Sequence, residues 1–171
     1  MSYDINICQM TLLIVSKAMI MDIKVYEVAT KSTQKFVRST QAWVIISSFV
    51  TLSKSSAFKV KVKGTEFKKG IITYGQLNAL MKRDPFPWNI RVGAELGMIG
   101  EFCLHSSIPL LNTVVVNKDT GEPSVEHDHL LFSGGRKSFK AEQKAVLDFD
   151  WFSVRPPTPR QFRKAYETRN D

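Results

Sequence analysis

The sequence predicts an α+β protein with a winged helix-turn-helix core, an N-terminal extension and C-terminal packing helices. Three observations carry that prediction. Thr73 and Gln76, in the stretch GIITYGQLNALM over residues 70–81, have capping-box spacing. In that motif the threonine hydroxyl accepts from the backbone N–H three residues on, and the glutamine side chain reaches back to the threonine N–H. A short helix therefore starts sharply at Tyr74. KRDPFPWN ends it with two prolines, and a longer helical pattern runs from about Trp88 to Ser106. Two short apolar runs, Ile108–Leu111 and Val114–Val116, then read as strand. They lead into the turn Asn117–Gly121, with a return strand expected near Leu130–Phe132. Helix, short helix, turn, longer helix and hairpin is the order of a winged helix-turn-helix.

The elements follow in chain order. Residues 1–30 read as an extension or a segment covering the core. The apolar run Ile5–Ile20 is too short to span a membrane and is interrupted by Gln9, Ser16 and Lys17. Asp4 stands where a signal peptide would want basic residues. Met21 can serve as an internal start. Residues 31–52 carry Phe36, Val37, Trp43, Val44, Ile46 and Phe49 or Val50 at roughly helical spacing. The β-branched residues of the second half leave strand open there. AFKVKVKG, residues 57–64, alternates apolar residues with lysine, as a half-exposed strand with a basic outer face would.

In the longer helix, Pro87 suits the first turn. Val92, Leu96, Ile99 and Cys103 form an apolar stripe, and Gly93, Gly97 and Gly100 mark a close approach, by a packed helix or by a ligand. After the turn at 133–135, KSFKAEQKAVLDFDWF reads as an amphipathic helix capped by Ser138, with Phe139, Val146 and Phe149 facing inward. RPPTPRQFRKAYE is a stiff connector and a last helix, capped by Thr158 with Pro159 in its first position. The chain thus divides into residues 1–30, a winged-helix domain over 31–136 with a basic insertion, and C-terminal helices over 137–171 packed on that domain.

Charge narrows the function classes. The chain of 171 residues carries a formal +8, and residues 31–70 account for all of it, with nine basic residues against the single acid Glu66. Such a concentration attracts phosphate backbones or acidic surfaces. The two cysteines, Cys8 and Cys103, form no CxxC pair, which excludes a cysteine-based zinc finger and fits a reduced, cytoplasmic setting. No GxxxxGK[ST] phosphate loop is present. In a winged helix the first helix of the pair crosses the phosphate backbone and the second enters the major groove. That reading puts Tyr74 near a phosphate, faces Asn89, Arg91 and Glu95 outward from the second helix, and sets Lys118 at the wing tip. Lys59, Lys61, Lys63, Lys68 and Lys69 supply further backbone contacts. Phe58, Phe67, Phe86 and Trp88 lie among the lysines and can stack on bases if exposed.

These residues carry a resemblance. ITYGQLNALM, a second helix with Val92-Gly93, IPLLNTVVV, a glycine-containing turn and FSGG together resemble the C-terminal domain of alkylguanine-DNA alkyltransferases and alkyltransferase-like proteins. The similarity covers about residues 33–145, with an insertion near 53–69. It implies a winged-helix fold, duplex DNA as partner, and Tyr74 as a phosphate-side contact. The family's Pro-Cys-His-Arg segment is missing: from Pro109 the chain reads Leu-Leu-Asn-Thr-Val-Val, without the nucleophilic cysteine. Alkyl transfer needs an activated thiolate, and Cys103 sits between Phe102 and Leu104 as a small core hydrophobe. Aligning Val92-Gly93 puts Ile90 where the family has its base-flipping arginine, and Arg91 is turned away by about 100°. Asn112 and Thr113 fall near the missing active site as polar lining.

The sequence reading is therefore a non-catalytic, non-enzymatic binder of duplex DNA, with no catalytic residue, metal or cofactor assigned and no membrane association. Two alternatives stay open. In one, the basic surface meets an acidic protein partner. In the other, a metal-dependent nuclease uses Glu122, Glu126 and Asp128 with Lys137 or Lys140, and His127 and His129 project from one side of a strand. Gly134-Gly135 before Arg136 and Lys137 can make an anion-binding turn.

Overall fold

A computed structural model describes residues 31–55, 61–62, 65–66, 68–81, 89–123, 135 and 138–168. The described residues from Lys35 onward belong to one compact unit. Helix α1 spans Lys31–Ser53. It stays helical through its β-branched half, where the hydroxyls bond back within the helix: Ser47 donates to Val44 O, Thr51 to Ser47 O and Ser53 to Val50 O. One face of α1, with Phe36, Trp43, Ile46 and Val50, is buried.

Among the described residues there are four strands, each two residues long. β1 (Lys61–Val62) pairs antiparallel with β2 (Thr65–Glu66). β3 (Ile72–Thr73) pairs parallel with β4 (Val115–Val116), in the register Ile72↔Val115 and Thr73↔Val116. A parallel pair needs a crossover, and two helices supply it: α2 (Tyr74–Leu80) and α3 (Asn89–His105). The expected Thr73–Gln76 capping box is present, with Thr73 N–H donating to Gln76 Oε1 (2.9 Å) and Gln76 N–H to Thr73 Oγ1 (3.3 Å). Val92, Leu96, Ile99 and Cys103 form the buried stripe of α3.

The winged-helix fold class is corrected here. Among the described residues the protein is mostly helical, with five α-helices, and the strand before the expected wing turn belongs to a two-stranded parallel ladder instead of a three-stranded wing. The reason lies in the segment Ile108–Val116. Its first apolar run does not extend; it closes into a 3-10 turn over Leu111–Val114. Thr113 donates to Leu110 O twice, through its backbone N–H (3.0 Å) and its hydroxyl (2.7 Å). Pro109, just upstream, has no N–H to give to a sheet. Only Val115 and Val116 remain free to pair, and they pair with β3. The return strand near Leu130–Phe132 lies outside the described residues.

Two further helices follow among the described residues. α4 (Phe139–Asp148) starts at the expected cap, where Ser138 Oγ accepts from Ala141 N–H (3.2 Å). It ends earlier than its pattern suggests. Asp150 Oδ1 accepts from Phe152 N–H and opens a 3-10 turn at Trp151–Ser153, while Trp151 Nε1 donates to Val146 O (2.7 Å). The indole thus satisfies a carbonyl that the shortened helix leaves open. α5 (Pro159–Glu167) starts at the expected Thr158 cap, which Gln161 completes as a capping box, and packs on α3. Its Phe162 is fully buried beside Trp43 and Phe102, with ring centroids 6.3 Å and 5.4 Å away.

Candidate nucleic-acid interface

The basic residues take their positions from the turn before β3 and the turn after β4. Ile71 N–H donates to Lys68 O (3.4 Å) across the turn Lys68–Ile71, and Gly70 has φ +71°. A positive φ at the third position of a turn, as in type II, is one that glycine adopts without strain. Gly70 is buried, and a Cβ there would collide with Leu147 Cδ2. The turn thereby leaves Lys68 and Lys69 exposed. Lys54 is engaged elsewhere: its Nζ donates to Phe149 O (2.9 Å) at the C-terminal end of α4, where the helix dipole favours a cation.

At the other end of the ladder, β3 runs into α2 and β4 runs into the turn Asn117–Glu122. The turn is closed by Gly121 N–H to Asn117 O (2.9 Å), Asn117 N–H to Glu122 O (2.8 Å) and Asp119 N–H to Asn117 Oδ1 (2.8 Å), with Gly121 at φ +71°. Because the strands are parallel and Thr73 registers with Val116, Tyr74 and Asn117 leave the ladder at the same end. The structure thus brings Tyr74 and Lys118 to one edge, while Lys68 and Lys69 enter from the opposite edge. Tyr74 is half-buried and packs partly on the core, and Lys118 is exposed. Among the described residues Lys68, Lys69 and Lys118 have no carboxylate partner; the ion pair seen there joins Lys144 and Asp148 (2.5 Å) within α4.

The other expected residues divide into three groups. Lys59 and Lys63 lie outside the described residues, as do Phe58, Phe67, Phe86, Trp88, Glu126, His127, Asp128, His129, Gly134, Arg136 and Lys137. Lys61 lies in β1 and Asn89 and Arg91 open α3, but their side chains are outside the described set. Glu95 is a correction: it does not face outward but is 3% exposed. The spacing already contained this, because position 95 lies three residues after Val92 and four before Ile99 and so shares their face. Cys103 is fully buried in the core. No group of three or more His, Cys, Asp or Glu among the described residues is placed to hold a metal ion. None of the described helices is long and apolar enough to cross a membrane.

The segment that stands where alkyltransferases have their nucleophile is sealed into the core. Leu111, Asn112, Thr113 and Val114 are all buried. Gln143 Nε2 donates to Thr113 O (2.7 Å), and Leu110 N–H donates to the buried Glu142 Oε1 (2.7 Å), which ties the turn to α4. The Asn112 amide is 1% exposed, and neither its oxygen nor its nitrogen has a partner among the described residues. Burying such an amide without partners costs about 1–3 kcal/mol on mutational scales. Asn112→Leu is therefore expected to raise the unfolding free energy by about 1–2 kcal/mol, read from urea denaturation midpoints at constant m. A loss of stability would mean that the amide is satisfied in solution.

No family model, curated protein or solved structure matches the chain. The resemblance to alkyltransferases rests on the residues quoted above.

Proposed function

We propose that this protein binds the phosphate backbone of duplex DNA, without a covalent step. The observation that carries the reading is the set of exposed lysines without carboxylate partners, Lys68, Lys69 and Lys118, the last turned out of the same ladder edge as Tyr74. Unpaired cations on ordered turns keep their full charge for a polyanion. Two more facts support it. Burial of Glu95 removes a carboxylate from the outer face of α3, where it would have repelled phosphate. The Thr-Tyr-Gly-Gln-Leu start of α2 is the part of the alkyltransferase resemblance that concerns a phosphate-side contact. Asn89, Arg91, Lys59, Lys61 and Lys63 belong to the proposal on their sequence positions.

Each phosphate neutralised by a lysine contributes about −0.9 to the slope of log K against log salt. A titration of random duplex between 50 and 200 mM salt is expected to give a clearly negative slope. The variant Lys68→Gln/Lys69→Gln/Lys118→Gln is expected to make it shallower by about 2 to 3. A wild-type slope near zero, or no mobility shift at all, would end the DNA reading and leave an acidic protein as the partner of these lysines.

A further inference from the structure

Helix α5 has two faces of opposite character. Phe162 and Ala165 are buried against the core, while Arg160, Arg163, Lys164 and Glu167 are exposed. Positions 160, 163, 164 and 167 follow the spacing of one helical face, so three cations and one acid share it. Their rise along the axis is about 4.5–6 Å from Arg160 to the next two cations.

The start of α1 brings a fourth cation to this face. Lys35 Nζ lies 5.0 Å from the ring centroid of Phe36 and 4.5 Å from that of Tyr166. Arg163 Cζ lies 5.4 Å from the same Phe36 ring. Two cations therefore converge on one aromatic ring. Neither they nor Arg160 and Lys164 form an ion pair among the described residues; the exposed Glu167, one turn beyond Arg163, pairs with none of them.

We infer that the exposed face of α5, together with Lys35, is a second phosphate-contacting surface for the backbone of duplex DNA. The inference rests on the DNA-binding reading above but uses none of its residues. Two arguments select nucleic acid over a protein partner. The face offers Arg, Gln, Arg, Lys, Glu and Thr at 160, 161, 163, 164, 167 and 168, without an apolar anchor, whereas protein interfaces centre on apolar and aromatic residues and nucleic-acid interfaces are polar and strongly positive. Second, Lys35 and Arg163 are already held against rings, so part of the entropy of ordering them is lost before a phosphate arrives. Two of the cations are arginines, whose forked donors fit phosphate oxygens.

The test uses the full chain and a random-sequence DNA duplex, followed by fluorescence anisotropy at several salt concentrations. Arg160→Gln/Arg163→Gln/Lys164→Gln leaves Phe162 and Ala165 in place, and its fold is checked by circular dichroism. It is expected to weaken binding at least about tenfold at 100 mM salt and to make the slope shallower by about 2 to 3. Glu167→Lys adds a cation to the same face and is expected to tighten binding and steepen the slope by about 1. If both variants keep the wild-type affinity and slope while the Lys68/Lys69/Lys118 variant loses them, the inference is overturned and the DNA reading stands. If the wild type does not bind duplex, both fall together.

Discussion

Trp43→Ala is expected to remove about 3–5 kcal/mol of stability, the range for truncating a fully buried large aromatic. Trp43 is 0% exposed and is the ring on which three elements meet. Phe102 of α3 and Trp151 of the 3-10 turn approach it edge-on with centroids 5.5 Å away, and Phe162 of α5 lies at 6.3 Å. Edge-on aromatic pairs add about 0.5–1.5 kcal/mol each beyond burial, so alanine loses pair terms as well as area. For a domain with a typical 5–15 kcal/mol in hand, the loss can take a large part of the total. Trp43→Phe is expected to cost far less. The Trp43 indole N–H has no acceptor among the described residues, and removing an unsatisfied buried donor recovers about 1–3 kcal/mol against the lost ring area. Trp151→Phe runs the other way, because its indole N–H donates to Val146 O at 2.7 Å and would leave that carbonyl open. Urea unfolding of the three variants should therefore rank Trp43→Phe as the mildest. A Trp43→Phe variant as damaged as Trp151→Phe would show that the Trp43 N–H is satisfied in solution.

The features legible in the sequence are the ones that are local. The Thr73–Gln76 capping box is spelled in four residues and formed as spelled, and Thr158 caps the last helix as its position suggests, with Gln161 completing a second box there. The apolar stripe of α3 needed only a period, and the turn at Asn117–Gly121 only its Asn, Asp and Gly. The fold class failed where the deciding contact is distant. Ile72 pairs with Val115 across two helices, in a ladder of two residues, and no periodicity can mark so short a strand. The anchor that bends Ile108–Val114 into a turn is Glu142, 32 residues beyond Leu110. The burial of Glu95 was available from its spacing and was outweighed by its charge. For the candidate site, the exposure of Lys68 and Lys69 follows from a local Gly turn. That Tyr74 and the Lys118 turn leave the ladder at the same end follows from a register visible only in three dimensions. The cations of α5 at 160, 163 and 164 already have the spacing of a common face in the sequence, but which face is exposed is set by Phe162, which the fold buries beside Trp43.

Glu142→Leu is expected to cost about 2–3 kcal/mol, and the reason connects the core to the proposed DNA surface. Glu142 is 4% exposed in the first turn of α4, where a carboxylate is favoured by the helix dipole. Its Oε1 takes the N–H of Leu110, which is itself 1% exposed. A hydrogen bond to a charged acceptor contributes about 1.5–3 kcal/mol, and leucine would leave that N–H buried with no acceptor. Glu142→Gln keeps an acceptor oxygen at nearly the same place and is expected to lose only about 1 kcal/mol. The difference should also appear locally. Leu110 heads the 3-10 turn, the turn delivers Val115 and Val116 to β3, and that pairing sets where the Lys118 turn leaves the ladder. Amide hydrogen exchange should therefore speed up at Leu110, Val115 and Val116 in Glu142→Leu while the amides of α1 hold their protection, and Glu142→Gln should resemble the wild type at all three. If DNA contact depends on the Lys118 turn being held, Glu142→Leu also weakens duplex binding under conditions where it remains folded, although Glu142 lies in the core. Unchanged exchange at Leu110 in the leucine variant would show that the carboxylate is not what holds the turn.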